Sequence, residues 1–241
     1  MRKSIAAAVV AASAATSACG HARGEDAGPA VARNYPVGNF QQIEVSGPYD
    51  VTVRTGGQPG VAARGPQNLL EKTVVEIKGD KLLIRPKDRH GFHWSWGSHG
   101  HADFTVTVPQ IRAATVAGSG DIEVDRVHGD RFDGTVAGSG GLDVGNVDVG
   151  ALKLAIAGSG SAKAGAGKAE SASYDIGGSG DIDAGAVQTQ QAKVSIAGSG
   201  SIKAHSSGTA DVSIMGSGDV EISGGAKCSI HKAGSGNVRC S

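Results

Sequence analysis

The sequence predicts an all-β fold: a single-stranded parallel β-helix, or solenoid, with an N-terminal β-hairpin cap. Three observations carry that prediction. A Gly-Ser-Gly triplet recurs with its serine at Ser119, Ser139, Ser159, Ser179, Ser199, Ser217 and Ser235, at spacings of 20, 20, 20, 20, 18 and 18 residues. Repetition at a near-fixed period of this length marks stacked structural units. Between triplets, apolar and polar residues alternate, as in Asp121-Ile122-Glu123-Val124 and Asp219-Val220-Glu221-Ile222, which is the period of a strand. Finally, the chain has 39 glycines and only 4% aromatic residues, so its core must be thin, repetitive and supported layer by layer.

Residues 1–19 read as a signal peptide with a lipobox-like end. Met1-Arg2-Lys3 is a short positive region, and Ile5 to Ala18 is an Ala-rich apolar run, too short to span a bilayer as a helix. Thr16-Ser17-Ala18-Cys19 resembles a bacterial lipobox, in which Cys19 is lipidated and becomes the first mature residue. The position usually held by Leu is Thr16 here. The competing reading is simple cleavage after Gly20-His21-Ala22, a small-residue site of the A-x-A kind. The cysteine count bears on the choice. Cys19, Cys228 and Cys240 make three, an odd number in an exported protein. If Cys19 takes lipid, Cys228 and Cys240 are left to form a disulfide in an oxidising compartment.

Residues 20–34 (GHARGEDAGPAVARN) are small, charged and aperiodic, and read as a flexible tether. Residues 35–112 lack the triplet but alternate as strands. These are Phe40 to Val45, Tyr49 to Val53, Thr73 to Ile77, Lys81 to Arg85 and Phe104 to Val108, with Gly79-Asp80 as a hairpin turn. This region is expected to pack on the first coil as a cap.

Residues 113–241 form the repeat. Aligned on the triplets, they give apolar columns: Val116, Val136, Ile156, Ile176, Ile196, Ile214; Ile122, Leu142, Ala162, Ile182, Ile202, Val220, Val238; and Val124, Val144, Ala164, Ala184, Ala204, Ile222, Cys240. Such columns are the inward ladders of a parallel β-helix, right-handed by the general preference of crossovers. A further column tapers from Phe132 and Leu152 to Ala172, Ala192, Ala210 and Cys228, so the solenoid should narrow toward its C-terminal end. Cys228 and Cys240 share the last coil, and a bridge between them would close the open end of the stack. The outward column Glu123, Asp143, Lys163, Asp183, Lys203, Glu221, Arg239 alternates in sign from the second coil on, as a stack that must not repel itself requires. Asp121, Asp181 and Asp219, directly after their triplets, never fall in adjacent coils.

The leading Phe40-x-x-Ile43-x-Val45 strand, Asp50-Val51-Thr52-Val53, the Gly79 to Ile84 hairpin, the Thr107-Val108-Pro109 strand end and the serial Gly-Ser-Gly-Asp-Ile units together resemble a bacterial family. It is the putative auto-transporter adhesin, head GIN domain family. The resemblance covers nearly all of the mature chain. It implies a β-helical fold and export to the envelope, and it brings no catalytic residues.

Several motifs bear on chemistry. The segment Arg89 to His101 (RHGFHWSWGSHGH) holds four of the eight histidines and both tryptophans. His90, His93, His99 and His101 are metal-ligand candidates by residue type, but no carboxylate or cysteine completes an obvious set. Trp94 and Trp96 are the candidate contact for a ligand or partner, a sugar ring included. The bland alternative is a solvent-exposed loop between two strands. A calcium β-roll needs a nine-residue repeat with an aspartate in every copy, which a 20-residue period does not supply. Gly165-Ala166-Gly167-Lys168 lacks the remaining residues of a phosphate loop. The repeated serines have no neighbouring histidine to activate them, and read as turn residues whose hydroxyls bond to backbone.

The sequence therefore predicts no enzyme and no cofactor. With 23 basic and 23 acidic side chains, it lacks the basic surplus of a nucleic-acid binder. The function expected is a cell-envelope binding or scaffolding module, adhesin-like, exported and tethered to the outer membrane by lipid, with a glycan or envelope protein as partner. The alternatives are a polysaccharide-active β-helix enzyme and a self-assembling envelope scaffold.

Overall fold

The computed structural model describes residues 28–87 and 101–241. Apart from one short helix, its regular structure is β throughout. The repeat region is the parallel solenoid expected. Three long strands, β9 (Asp121–Gly138), β10 (Gly141–Gly158) and β11 (Ser161–Gly178), each run from one triplet to the next. The following coils break into shorter strands: β12 (Asp181–Ala184) with β13 (Val187–Gly198), β14 (Ser201–His205) with β15 (Thr209–Gly216), β16 (Asp219–Ser223) with β17 (Lys227–Gly234), and β18 (Asn237–Cys240). All pair parallel and in repeat register, for example Leu142 with Ile122 and Ala162, and Ile196 with Ile176 and Ile214. The inward columns read from the sequence are buried down to Val220 and Ile222.

Volume is balanced within coils as well as along columns. The β11 coil buries Ala162, Ala164, Ala169 and Ala172, and in the same coil Tyr174 is fully buried between Leu154 and Val194. One large ring supplies the bulk that four alanines omit. The step from a 20- to an 18-residue period falls between Thr189 and Thr209. There the Thr189 hydroxyl donates to the His205 carbonyl (2.6 Å), and the buried Ser206 hydroxyl donates to the carbonyls of Gln190 and Thr209. These side chains satisfy backbone groups that lose their register partners where two residues drop out.

Residues 35–112 contribute more than a lid. The strands are β1 (Ala30–Tyr35), β2 (Gln42–Ser46), β3 (Tyr49–Thr55), β4 (Gly60–Pro66), β5 (Thr73–Lys78), β6 (Lys81–Pro86), β7 (Ala102–Val108) and β8 (Ala113–Gly118), with helix α1 (Gln67–Glu71) after β4. β2 pairs parallel with β8, and β3 with β9, so these early strands are a layer of the stack. On their other side lie β6 and β7, again parallel, which places Ile84 and Val45 in the Val116 column. The layer order is therefore β6–β7, β2–β3, β8–β9, whereas the chain visits the middle layer first. β4 then pairs antiparallel with β7 and β1, and β5 antiparallel with β6.

Of the tether expected over residues 20–34, residues 20–27 lie outside the described residues. Residues 30–34 belong to β1, held in register by β4, and Val31 and Tyr35 pack against the core. Gly79-Asp80 is the turn between antiparallel β5 and β6, as the hairpin signal predicts. The Asp80 carbonyl accepts the amides of Gln41 and Gln42, and its carboxylate receives Gln42 Nε2 and Arg112.

Candidate functional site

What the fold presents to solvent are its corners, its flat faces and its two ends. The triplet corners are built from backbone. The first glycine of each triplet has φ between +132° and +141°, a region closed to side chains. A Cβ on Gly158 would lie 2.3 Å from the Gly138 carbonyl oxygen. The serine amides make the cross-coil bonds, as in Ser159 N to Gly138 O and Ser179 N to Gly158 O, both 2.9 Å. The expectation that the serine hydroxyls bond to backbone is corrected: within the described residues the triplet hydroxyls are exposed to solvent and bond to no protein group. In a parallel stack the amide already faces the carbonyl of the coil below.

The residues after the triplets explain what the sequence left as a charge rule. Asp121 accepts from Gly141 N (2.6 Å), Asp181 from Ser201 N (3.2 Å) and Asp219 from Asn237 N (3.0 Å). Each aspartate ties its coil to the next.

The outward charged column is in register as read, with Lys163 beside Asp143 and Asp183, and Lys203 beside Asp183 and Glu221. No member of this column closes an ion pair within 4 Å among the described residues. The same face carries a shallow groove at its C-terminal end, bordered by Lys203, Asp219, Glu221 and Arg239. Toward the N-terminal end it turns acidic. Asp50 stands directly beside Asp103, and Glu123 beside Asp143. Exposed His101 places Nδ1 3.5 Å from the Asp50 carboxylate.

The candidate residues from sequence divide three ways. Cys19 lies outside the described residues, as do Trp94, Trp96, His90, His93 and His99. His101 is described, and its ring lies beside the Asp50 carboxylate. Among the described residues, no three His, Cys, Asp or Glu side chains are grouped to hold a metal, and no helix is long and apolar enough to cross a membrane. The segment 88–100 joins β6 to β7. In the adjoining layer, β2 and β3 are joined by Gly47 and Pro48 alone.

Cys228 and Cys240 are brought together as a disulfide, with Cα atoms 6.6 Å apart. Both belong to inward columns, but with no layer above them Cys228 is half-buried and Cys240 exposed. At this end Lys232 occupies the column of Ile176, Ile196 and Ile214, and its ammonium donates to the Gly236 carbonyl (2.8 Å). Sequence reading missed Lys232. The break in the isoleucine column at that position was the available signal.

Two carboxylates near the opposite end are shifted. Hydrogen bonding from Arg85, then Lys78, holds Glu76 below the usual carboxylate range, and Arg112 does the same for Asp80. Burial pushes the Tyr49 phenol up, partly offset by its hydrogen bond with Thr73 (3.0 Å).

Comparison with known proteins places this architecture. The profile of the family described as putative auto-transporter adhesin, head GIN domain, matches residues 39–226. No curated protein matches the chain. Among solved structures, a putative adhesin from Bacteroides fragilis superposes with a TM-score of 0.79 at 22% identity, covering 88% of this chain and 97% of its own. A putative lipid binding protein from Parabacteroides distasonis gives 0.70 at 22% identity, covering 89% and 97%. A putative adhesin from Parabacteroides merdae gives 0.65 at 20% identity, covering 90% and 98%. At these identities the likeness shows a shared fold.

Proposed function

The chain belongs to the putative auto-transporter adhesin, head GIN domain family, and from that premise we propose that it is a non-enzymatic, adhesin-like module of the cell envelope. One observation carries the reading. The solenoid offers long, register-locked faces whose charged columns are not consumed by ion pairs of their own. Such side chains keep their full capacity for an outside partner, and the stack fixes their spacing at about 4.8 Å. Rigid presentation of this kind lowers the ordering cost of binding. The relatives named as adhesins support the same direction, and the one named as lipid binding keeps a lipid among the ligands to be screened.

In this reading the leader is removed during export and Cys19 carries the lipid that holds the rod to the outer membrane. A glycan or an envelope protein is the partner, with Trp94 and Trp96 as a contact.

The test compares the native chain with Cys19→Ala by membrane fractionation, with protease added to intact cells. A membrane-bound native form cleaved from outside, with a soluble mutant, is the expected result. A protected native form would shift the role to a periplasmic scaffold. Cleavage of an acidic polysaccharide by the purified chain would overturn the non-enzymatic reading itself.

A further inference from the structure

The last coil differs from every other in three ways. First, β17 and β18 have a partner strand on one side only, β15 and β16, and no described strand pairs with their outer edges. Among the described residues, a row of backbone donors and acceptors is therefore open. Second, the inward residues have lost their cover: Ile230 is 46% exposed, and Cys228 and Val238 are half-buried. Third, the coil is uniformly basic. Lys227, His231, Lys232 and Arg239 lie beyond Glu221, and no acidic side chain follows it in the sequence. The Cys228–Cys240 disulfide ties β17 to β18, so the edge is held in shape without a further coil above it.

We propose that this coil is an acceptor edge for an extended acidic segment of a partner polypeptide, added as one more parallel strand alongside β17. Strand addition draws its affinity from main-chain hydrogen bonds and its selectivity from alternate side chains. The register defines the guest. An apolar residue covers Ile230, and acidic residues stand opposite Lys227, His231 and Lys232. Lys232 sets the selectivity, because it points along an inward column where the coils below carry isoleucine. A second copy of this chain, stacked tail to tail, would bring lysine against lysine and two basic edges together, and like charges directly opposite are unfavourable. Inward-pointing charge is a known barrier to edge-to-edge association. An acidic strand meets the same lysine as a partner. The inference stands on the edge itself and is independent of surface display.

The test uses the purified full-length chain and two fluorescein-labelled peptides, Glu-Val-Thr-Val-Glu-Glu-Ala and its counterpart with Lys in place of each Glu, read by fluorescence anisotropy. The acidic peptide should bind about tenfold more tightly or better, since favourable pairs at Lys227 and Lys232 replace repulsive ones. The preference should shrink as salt shortens the screening length. Lys232→Glu, checked for an unchanged thermal transition, should narrow or reverse the preference. Binding of neither peptide, equal binding of both, or a dimer in light scattering that blocks peptide binding would each overturn the proposal.

Discussion

The Asp181 carboxylate accepts hydrogen bonds from both the amide and the hydroxyl of Ser201, its register neighbour one coil further along. Asp121 and Asp219 use the same position against Gly141 and Asn237. The acids skip coils because a second acid in the next coil would repel the carboxylate that bonds its amide. A carboxylate-to-amide bond at an exposed site contributes on the order of 1 kcal/mol. Asp121→Ala and Asp181→Ala should each lower stability by about that amount in urea unfolding. The two sites lie three coils apart, so their effects should add. Strong coupling between them would contradict the independent-clamp reading.

Tyr174 is buried with no hydrogen-bond partner for its hydroxyl among the described residues, and desolvation pushes its pKa up. The ring is needed for volume and the oxygen is not. Tyr174→Phe should therefore raise stability by about 1 kcal/mol, since it removes an unpaired buried polar group. Tyr174→Ala should cost about 3–5 kcal/mol, because the alanines of the same coil cannot fill the space. A loss of stability in Tyr174→Phe, seen as a lower thermal midpoint, would mean the hydroxyl has a partner.

The corners separate two residues that look equally repetitive in sequence. Gly158 sits at φ +133° with its hypothetical Cβ against the Gly138 carbonyl, and Gly158→Ala should cost about 3 kcal/mol or more. Ser159 contributes its amide at 2.9 Å and leaves its hydroxyl in solvent. Ser159→Ala should stay within about 0.5 kcal/mol of the parent. Paired chemical denaturation of the two variants reads both directly.

The solenoid was legible because its register is written in residue type. Ile156, Ile176 and Ile196 recur at one offset from their triplets, and the structure stacks them as read. The N-terminal layers were not legible as coils. The middle layer is visited before the outer one, so no constant period survives, and its corner is Gly47-Pro48-Tyr49 rather than a triplet. Tyr49 takes the place of the triplet's third glycine and turns its ring into the core, edge-on to Phe104 at 5.5 Å. The charge column was read correctly for register and missed the aspartate clamps, because a side chain bonding the next coil's amide leaves no mark on its own strand's alternation. Lys232 was hidden for a different reason: in a sequence it is one more polar residue until the column it interrupts is drawn.

Acid should loosen the N-terminal layers selectively. Asp80 and Glu76 titrate below their ordinary values, chiefly through hydrogen bonds from Arg112 and Arg85 respectively. Groups with a depressed folded pKa stabilise above the unfolded value, about 4, and lose that contribution as pH falls through the folded one. Asp80→Asn should be less stable than the parent at pH 6, with the gap closing below about pH 4. A gap that persists at low pH would assign Asp80's role to its backbone turn instead of its charge. Both carboxylates are partly exposed, so added salt should narrow the gap at pH 6 as well.

The disulfide between Cys228 and Cys240 should matter locally more than globally. A stack of coils is stabilised by nearest neighbours, so loss of one terminal contact is felt in the terminal layer first. Closing a loop with a sequence separation of 12 residues removes roughly 3 kcal/mol of disorder from the opened state on the chain-entropy account. In Cys228→Ser/Cys240→Ser, amide exchange across β17 and β18 should accelerate by about a hundredfold, while β9 to β11 keep their protection. The substitution should also blunt any strand addition at that edge, since a frayed coil must be re-ordered before it can template a guest. Uniform loss of protection along the whole solenoid would show instead that the coils unfold as one unit, and that the C-terminal bridge holds all of them.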